Sequence, residues 1–504
     1  MARTQAALLP ADEDGIRLPV RDTATRYARY DPRGWPTPDR VRFLAVLVAV
    51  LAVLFAALAA RRASGGEAGF REIGREAGPQ VVASSDLYLA LNDMDAQLAN
   101  VLLIGDGKGL SVTRDQALGT FEQRRAQADR DLQQASALAG RDGDAALGLR
   151  RALDGLGRYE SLAAQAILLD GQHPHPAARP PAAALALYRQ ATQAMRSDVL
   201  PAAEKLRDAN AERIETSYKH RRSALAGGAE ETLALGLATV AVLAGLQLYL
   251  VRRTRRSAQP ALLAATAVAL VTAVIAAATL DSAAGHLRVA KKDAFDSVLA
   301  LTRARAIGWE TNADESRGIV DPGQWKAYQD DFYLRAGQLA EVFGSEPLAG
   351  TEPLSYEDAL AGIVRRYQGM DTLSERRIRL GGLLGAEFAN ITFPGERDAA
   401  EKALYAWQAY QADDVGLRAM YASGDLQKTV QFDTSPAPAD SNGAFNAFDQ
   451  AMARVIAINQ AQFEAHVRRG GDDLAGWTAV PPLAALVIIG LVWLGVRPRL
   501  SEYR

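Results

Sequence analysis

The chain contains no cysteine, which excludes disulfides, zinc–thiolate centres and cysteine nucleophiles together, so any exported domain must be held by packing alone. Histidine is scarce at five residues, and no Ser, His and Asp set surrounds a recognisable nucleophile elbow. Phosphate-cradling motifs are missing as well: Gly105-Asp106-Gly107-Lys108-Gly109 is a Gly-rich turn, neither a GxGxxG after a strand nor a GxxxxGK[ST]. His173 and His175 flank Pro174 without a third ligand nearby, so they read as a loop rather than a metal site. A formal charge of −2 offers no basic stripe for nucleic acid. The expectation is a non-enzymatic protein with no catalytic, cofactor or metal residues and no nucleic-acid partner.

What the chain does have is long apolar runs. Hydrophobic residues make up 49% of the sequence and cluster at 43–60, 233–251, 261–280 and 477–496. At about 1.5 Å per helical residue each run reaches across a hydrocarbon core of about 30 Å. The first begins too far into the chain, and runs too long, for a secretory signal, so it reads as a retained anchor.

Basic residues near the runs set the orientation. Arg40 and Arg42 precede the first run, Arg252, Arg253, Arg255 and Arg256 sit between the second and third, and Arg497 and Arg499 follow the fourth. Arg61 and Arg62 oppose the rule locally. The expected organisation is therefore an all-α, multi-pass protein of a bacterial cell membrane with both termini cytoplasmic. It comprises a cytoplasmic segment 1–42, a span 43–60, an extracytoplasmic segment 61–230, a span 231–251 and a basic cytoplasmic loop 252–259. A span 260–280, an extracytoplasmic segment 281–476, a span 477–496 and a cytoplasmic tail 497–504 complete it.

The two extracytoplasmic segments read as a duplicated pair of helical bundles. Asp93-Met94-Asp95 lies at the depth of Asn312-Ala313-Asp314 beyond its span, Arg158-Tyr159 resembles Arg366-Tyr367, and Tyr218-Lys219-His220-Arg221-Arg222 resembles Ala465-His466-Val467-Arg468-Arg469. The apolar period is helical, as in Val82, Leu87, Leu91, Met94, Leu98, Val101 and Leu102. Gly and Pro clusters near 105–107, 140–143 and 171–176 leave four helical stretches in the first segment. Those near 321–323, 344–353, 393–395 and 433–443 leave four or five in the second. The first and last helices of each bundle are expected to run straight out of the flanking spans.

Candidate ligand or partner residues are Asp95, Asp314, Glu315 and Arg317. The alternative for Asp314 and Arg317, three apart on one helix, is an intrahelical ion pair of a few tenths of a kcal/mol. Trp325, Tyr328, Phe332 and Tyr333 fit a helix core better than a ligand cage. Arg252, Arg253, Arg255 and Arg256 are the candidate contacts on the cytoplasmic side. Near-absence of ionisable groups in the apolar runs, where Gln247 is the conspicuous polar side chain, argues against an ion-coupled pump. Gly236 and Gly245 permit close helix packing, within one chain or in a homodimer.

In architecture each half resembles the four-helix sensory domain of bacterial chemoreceptors. The stretch Asn312-Ala313-Asp314-Glu315-Ser316-Arg317, with Asp321-Pro322 and the aromatic helix after it, resembles the GlnX-type membrane proteins of actinobacteria. That resemblance implies a relay between a glutamine/glutamate-binding lipoprotein outside and a soluble Ser/Thr kinase of the protein kinase G kind inside. Beside membrane lipid, those two are the partners it implies. The rival expectation is a non-signalling envelope scaffold or accessory subunit.

Overall fold

The computed structural model describes residues 37–138, 144–254, 259–343, 355–369 and 379–501. Arg255, Arg256 and residues 1–36 of the expected cytoplasmic segment lie outside the described residues.

The first helix, α1 (Thr37–Glu72), passes through a π-helical turn (Ile73–Ala77) into α2 (Gly78–Ile104). Next come α3 (Arg114–Leu138), α4 (Asp144–Gln172) and α5 (Ala182–Ala194). A second π-helical turn (Met195–Val199) joins α5 to α6 (Leu200–Thr254). The helix α7 (Pro260–Arg288) leads through a third such turn (Val289–Phe295) into α8 (Asp296–Val320). There follow α9 (Trp325–Leu339), α10 (Tyr356–Tyr367), α11 (Gly382–Asn390), α12 (Glu396–Ala422), α13 (Leu426–Thr434), α14 (Ser441–Leu474) and α15 (Val480–Ser501). Two-residue strands β1 (Val342–Phe343) and β2 (Arg379–Leu380) pair antiparallel.

Among the described residues four helices are long and apolar enough to cross a membrane: Pro38–Ile104, Ala182–Arg253, Pro260–Val320 and Val480–Pro498. The first three continue unbroken far beyond their apolar stretches, as expected from the sequence. The fourth does not. Gly476 takes φ +81°, the left-handed conformation that ends a helix, and Pro481 and Pro482 enter α15 in its first turn, where their missing N–H groups cost nothing. The Gly–Pro punctuation thus separates α14 from α15, and the expected continuous rod is interrupted there.

The backbone divides into two compact units. One holds the apolar parts of α1, α6, α7 and α15. Val48, Ala52 and Ala56 pack with Leu243, Leu246, Ala265, Ala269, Ile488 and Val492, whereas Val46, Leu54, Leu248, Val271, Leu486 and Trp493 point outward and exposed. Apolar residues on both faces are the pattern of a helix whose surroundings are themselves apolar. The Gln247 amide finds partners inside this unit, donating to Thr266 Oγ1 at 2.6 Å and to the Leu262 carbonyl at 3.0 Å. Gly236 sits where an added Cβ would lie 2.3 Å from that of Ala273, while Gly245 faces open space.

The other unit, 59–232 with 275–480, contains both segments that the sequence presents as separate bundles. They share their cores. Leu91, Met94, Leu98, Leu102, Tyr159 and Tyr188 of the first segment cluster with Ile319, Val320, Leu417 and Val430 of the second. Leu89 of the first joins Phe332, Trp407, Tyr410, Phe445 and Phe448 of the second. The helix α2 is buried on nearly every side, so it is a central helix rather than a wall of its own bundle. Helix breaks fall beside the described Gly and Pro clusters. In the second segment the chain forms more, shorter helices than expected, because α10, α11 and α13 are separate elements.

Candidate functional site: a buried chain of alternating charges

Helix α8 places Glu310, Asp314 and Arg317 on one face by the spacing i, i+4, i+7. Helix α2 carries Asp95 four residues after Leu91, within its apolar stripe. The two helices meet along these faces. Arg317 Nη2 donates to Asp95 Oδ2 at 2.6 Å, its Nε donates to the same oxygen at 3.2 Å, and its Nη1 donates to Asp314 Oδ1 at 2.8 Å. Arg335 of α9 donates to the other Asp314 oxygen and, through Nε at 2.7 Å, to Glu310.

The result is five side chains in alternating charge: Glu310, Arg335, Asp314, Arg317 and Asp95. Hydroxyls of the first segment cap both ends, Tyr88 donating to Glu310 and Thr192 Oγ1 donating to Asp95 at 3.1 Å. Arg317 is 1% exposed and Asp95 is fully buried. Desolvation of ions this deep costs several kcal/mol each, and the cost is met only when every charge has close partners of the opposite sign. That condition holds along this chain.

Electrostatics follow the geometry. Burial opposes the Arg317 cation, but Asp95 and Asp314 outweigh it and hold the guanidinium charged. Burial also raises the Asp314 carboxyl, against the pull of Arg335 and Arg317. The phenols of Tyr159 and Tyr188, fully buried beside Asp95, are pushed well up by burial and by its charge.

Further ion pairs tie the segments on either side. Arg189 holds Asp321 in a bidentate pair at 2.6 and 2.7 Å, and Arg196 pairs with Asp331. The Gly-rich turn after α2 is gripped by α13, where Gln427 donates to the Lys108 carbonyl at 2.8 Å and Gln431 accepts from the Ser111 N–H at 2.7 Å. His175 is buried, bonded to Asp170 at 2.7 Å, and its carbonyl accepts from the Asp106 N–H.

Of the residues singled out from sequence, Asp95, Asp314 and Arg317 come together. Glu315, next to Asp314 but on another face of α8, does not join them. It is buried near Asp414, Asp433 and Tyr410 and accepts from Ser441 Oγ at 3.3 Å. Burial first, then those two carboxylates, raise its carboxyl well above the usual range. The Asp314–Arg317 pair is intrahelical, as the plainer reading had it, but it is buried and Arg317 also reaches across to Asp95. Among the aromatics, Phe332 and Tyr328 are core, while Trp325 stacks on Tyr421 at 4.0 Å. Arg252 and Arg253 are exposed in the last turn of α6.

Glu310, Arg335, Tyr88 and Thr192 were not anticipated. A signal existed for Glu310, which shares the α8 stripe with Asp314 and Arg317; Arg335 and the hydroxyls are fixed by tertiary packing alone. Among the described residues no group of three His, Cys, Asp or Glu side chains is placed to hold a metal ion. The arrangement joins the two segments in one register.

Comparison with known proteins adds one match. Residues 69–219 fit the family model of the actinobacterial sensor domain, a stretch that supplies Tyr88, Asp95 and Thr192. No curated protein and no solved structure matches the chain. The family match supports an actinobacterial sensor protein.

Proposed function

We propose that the chain is a transmembrane sensor and signal relay. Residues 61–230 and 281–476 form its extracytoplasmic body, and its output goes to a cytoplasmic partner such as a Ser/Thr kinase. An amino-acid-loaded solute-binding lipoprotein is the proposed input. The observation that carries this reading is the sensor-domain match over 69–219, in a chain whose helices Pro38–Ile104, Ala182–Arg253 and Pro260–Val320 each run on from an apolar stretch without a break.

The alternating charge chain supplies what a relay needs, an interface that favours discrete arrangements over continuous sliding, because displacing Arg317 from Asp95 strands buried charges. An input acts only if it binds one arrangement better than the other. The π-helical turns at Ile73–Ala77 and Val289–Phe295 follow the first and third apolar stretches at similar distance. Such turns recur at functional sites in helices, and each gives its helix a place where register can change. Their matched positions also fit the proposal that the halves arose by duplication.

The test is crosslinking in native membranes followed by affinity purification and mass spectrometry. Recovery of a solute-binding lipoprotein on the large body and of a kinase at the opposite face supports the relay. Recovery of wall-synthesis or division proteins alone overturns it in favour of an envelope scaffold.

A further inference from the structure

Between α1 and α15 the apolar unit is open along a groove of about 620 Å³. Its α15 wall is a helical stripe, Ile489, Val492, Trp493, Val496, Arg497 and Leu500, and its α1 wall is Arg42, Ala45, Val46 and Ala49. The small side chains Ala45 and Ala49 make the concavity. Along both helices the cationic lining lies toward the same end: Arg42 precedes the apolar lining residues of α1, and Arg497 follows those of α15 except Leu500.

Arg497 is exposed and stacked on Trp493, 4.9 Å from the ring centroid, which orients its guanidinium. Among the described residues Arg42 pairs with Asp39 on its own helix at 3.3 Å, and both are well exposed, so that pair is weak and readily exchanged. An apolar trough with two guanidinium groups at one end is complementary to an amphiphile with acyl chains and an anionic head. Guanidinium groups match phosphate oxygens in geometry as well as charge.

We propose that this groove binds an anionic diacyl phospholipid, its acyl chains against Ala45, Ala49, Val492 and Val496 and its phosphate between Arg42 and Arg497. The inference rests on the reading of the four apolar helices as membrane spans. Basic groups at the cytoplasmic end of a span place the lipid in the inner leaflet, where anionic headgroups add to the attraction. A bound lipid there bridges the first and last spans and makes the packing of α15 on α1 dependent on membrane composition.

The experiment uses the full chain, extracted and exchanged into detergent containing equal phosphatidylglycerol and phosphatidylcholine, with retained lipid read by native mass spectrometry. The expected result is retention of phosphatidylglycerol over phosphatidylcholine. The Arg42→Gln/Arg497→Gln variant should lower that preference by about fivefold for each arginine removed. Ala49→Trp fills the trough while leaving both arginines, and should displace the lipid of either kind; it decides the matter if the double variant does not fold. Equal retention of the two lipids by the unmodified chain, or a preference that survives both variants, overturns the site. Carbonate fractionation of the same cells separates the underlying reading: a chain released into the soluble fraction defeats the span assignment itself, whereas a chain that stays in the membrane without lipid preference defeats the groove alone.

Discussion

Arg317 spends its guanidinium on two carboxylates from different segments, Asp95 of α2 at 2.6 Å and Asp314 of α8 at 2.8 Å. The interface between the segments is therefore set by a cation that neither segment can satisfy alone.

Removing that cation should be costly. Arg317→Met leaves Asp95 and Asp314 buried without it and is expected to destabilise the large unit by about 3–5 kcal/mol. Adding Asp95→Asn to Arg317→Met should recover part of the loss, because the amide no longer needs a counter-charge. Thermal unfolding of the single and double variants in detergent gives the coupling between the sites. Strictly additive losses would show that the two side chains do not act as a pair.

A second prediction concerns pH. Glu387 is buried beside Glu396, whose carboxylate already accepts from the Thr392 and Phe393 N–H groups and from Asn459. Burial, then the Glu396 charge, push Glu387 up to about 8, and burial pushes Asp433 up to about 7 although Ser316 donates to it. Both folded-state values lie above the unfolded ones near 4. The folded state therefore binds more protons in between, so the stability they contribute is present below about 4 and is lost as pH rises through about 7 to 8. The unfolding midpoint should fall between pH 5 and pH 8. His466, lowered by burial and by His286, acts in the opposite sense, so the sharper readout is Glu387→Gln, which should flatten the profile and raise the midpoint at pH 8. A midpoint that climbs steadily to pH 8 in both proteins would contradict this.

The two glycines that the sequence offers for close helix packing behave differently. A Cβ at Gly236 meets Ala273 at 2.3 Å and Phe55 at 3.3 Å, whereas Gly245 has nothing within 4 Å. Gly236→Leu should overpack the apolar unit and cost about 1–3 kcal/mol. Gly245→Leu is expected to leave stability in detergent nearly unchanged. Equal losses at both positions would mean that the approach of α6 to α7 at Gly236 is not tight.

How much of this was legible in the sequence depends on which forces act locally. Helix breaks at Gly105, Asp321-Pro322 and Phe393-Pro394-Gly395 were readable because turn chemistry acts within a few residues. Asp95 could be marked because it lies at the same depth beyond its apolar run as Asp314 does beyond the third. That the partner is Arg317, more than two hundred residues away, was not readable, since Arg317 also fits a weak local ion pair with Asp314. The merging of two expected bundles into one unit was hidden for the same reason. An apolar face is equally satisfied by its own bundle or by the neighbouring one, and only the nearly complete burial of α2, with Leu89 serving the second segment's core, distinguishes them.

The absence of cysteine makes the orientation directly testable, because any introduced thiol is the sole one in the chain. Lys108 lies exposed in the turn after α2, and Arg253 lies exposed at the end of α6. If positive charge is retained inside, as the cluster beginning at Arg252 implies, a membrane-impermeant maleimide should label Lys108→Cys in intact cells. Arg253→Cys should react only after permeabilisation, while Arg252, Arg255 and Arg256 remain to hold the orientation. Both thiols lie outside the apolar stretches, so both are reactive once exposed to water. Labelling of both in intact cells, or of Arg253→Cys alone, would reverse the topology on which the proposed relay and the inner-leaflet lipid site depend.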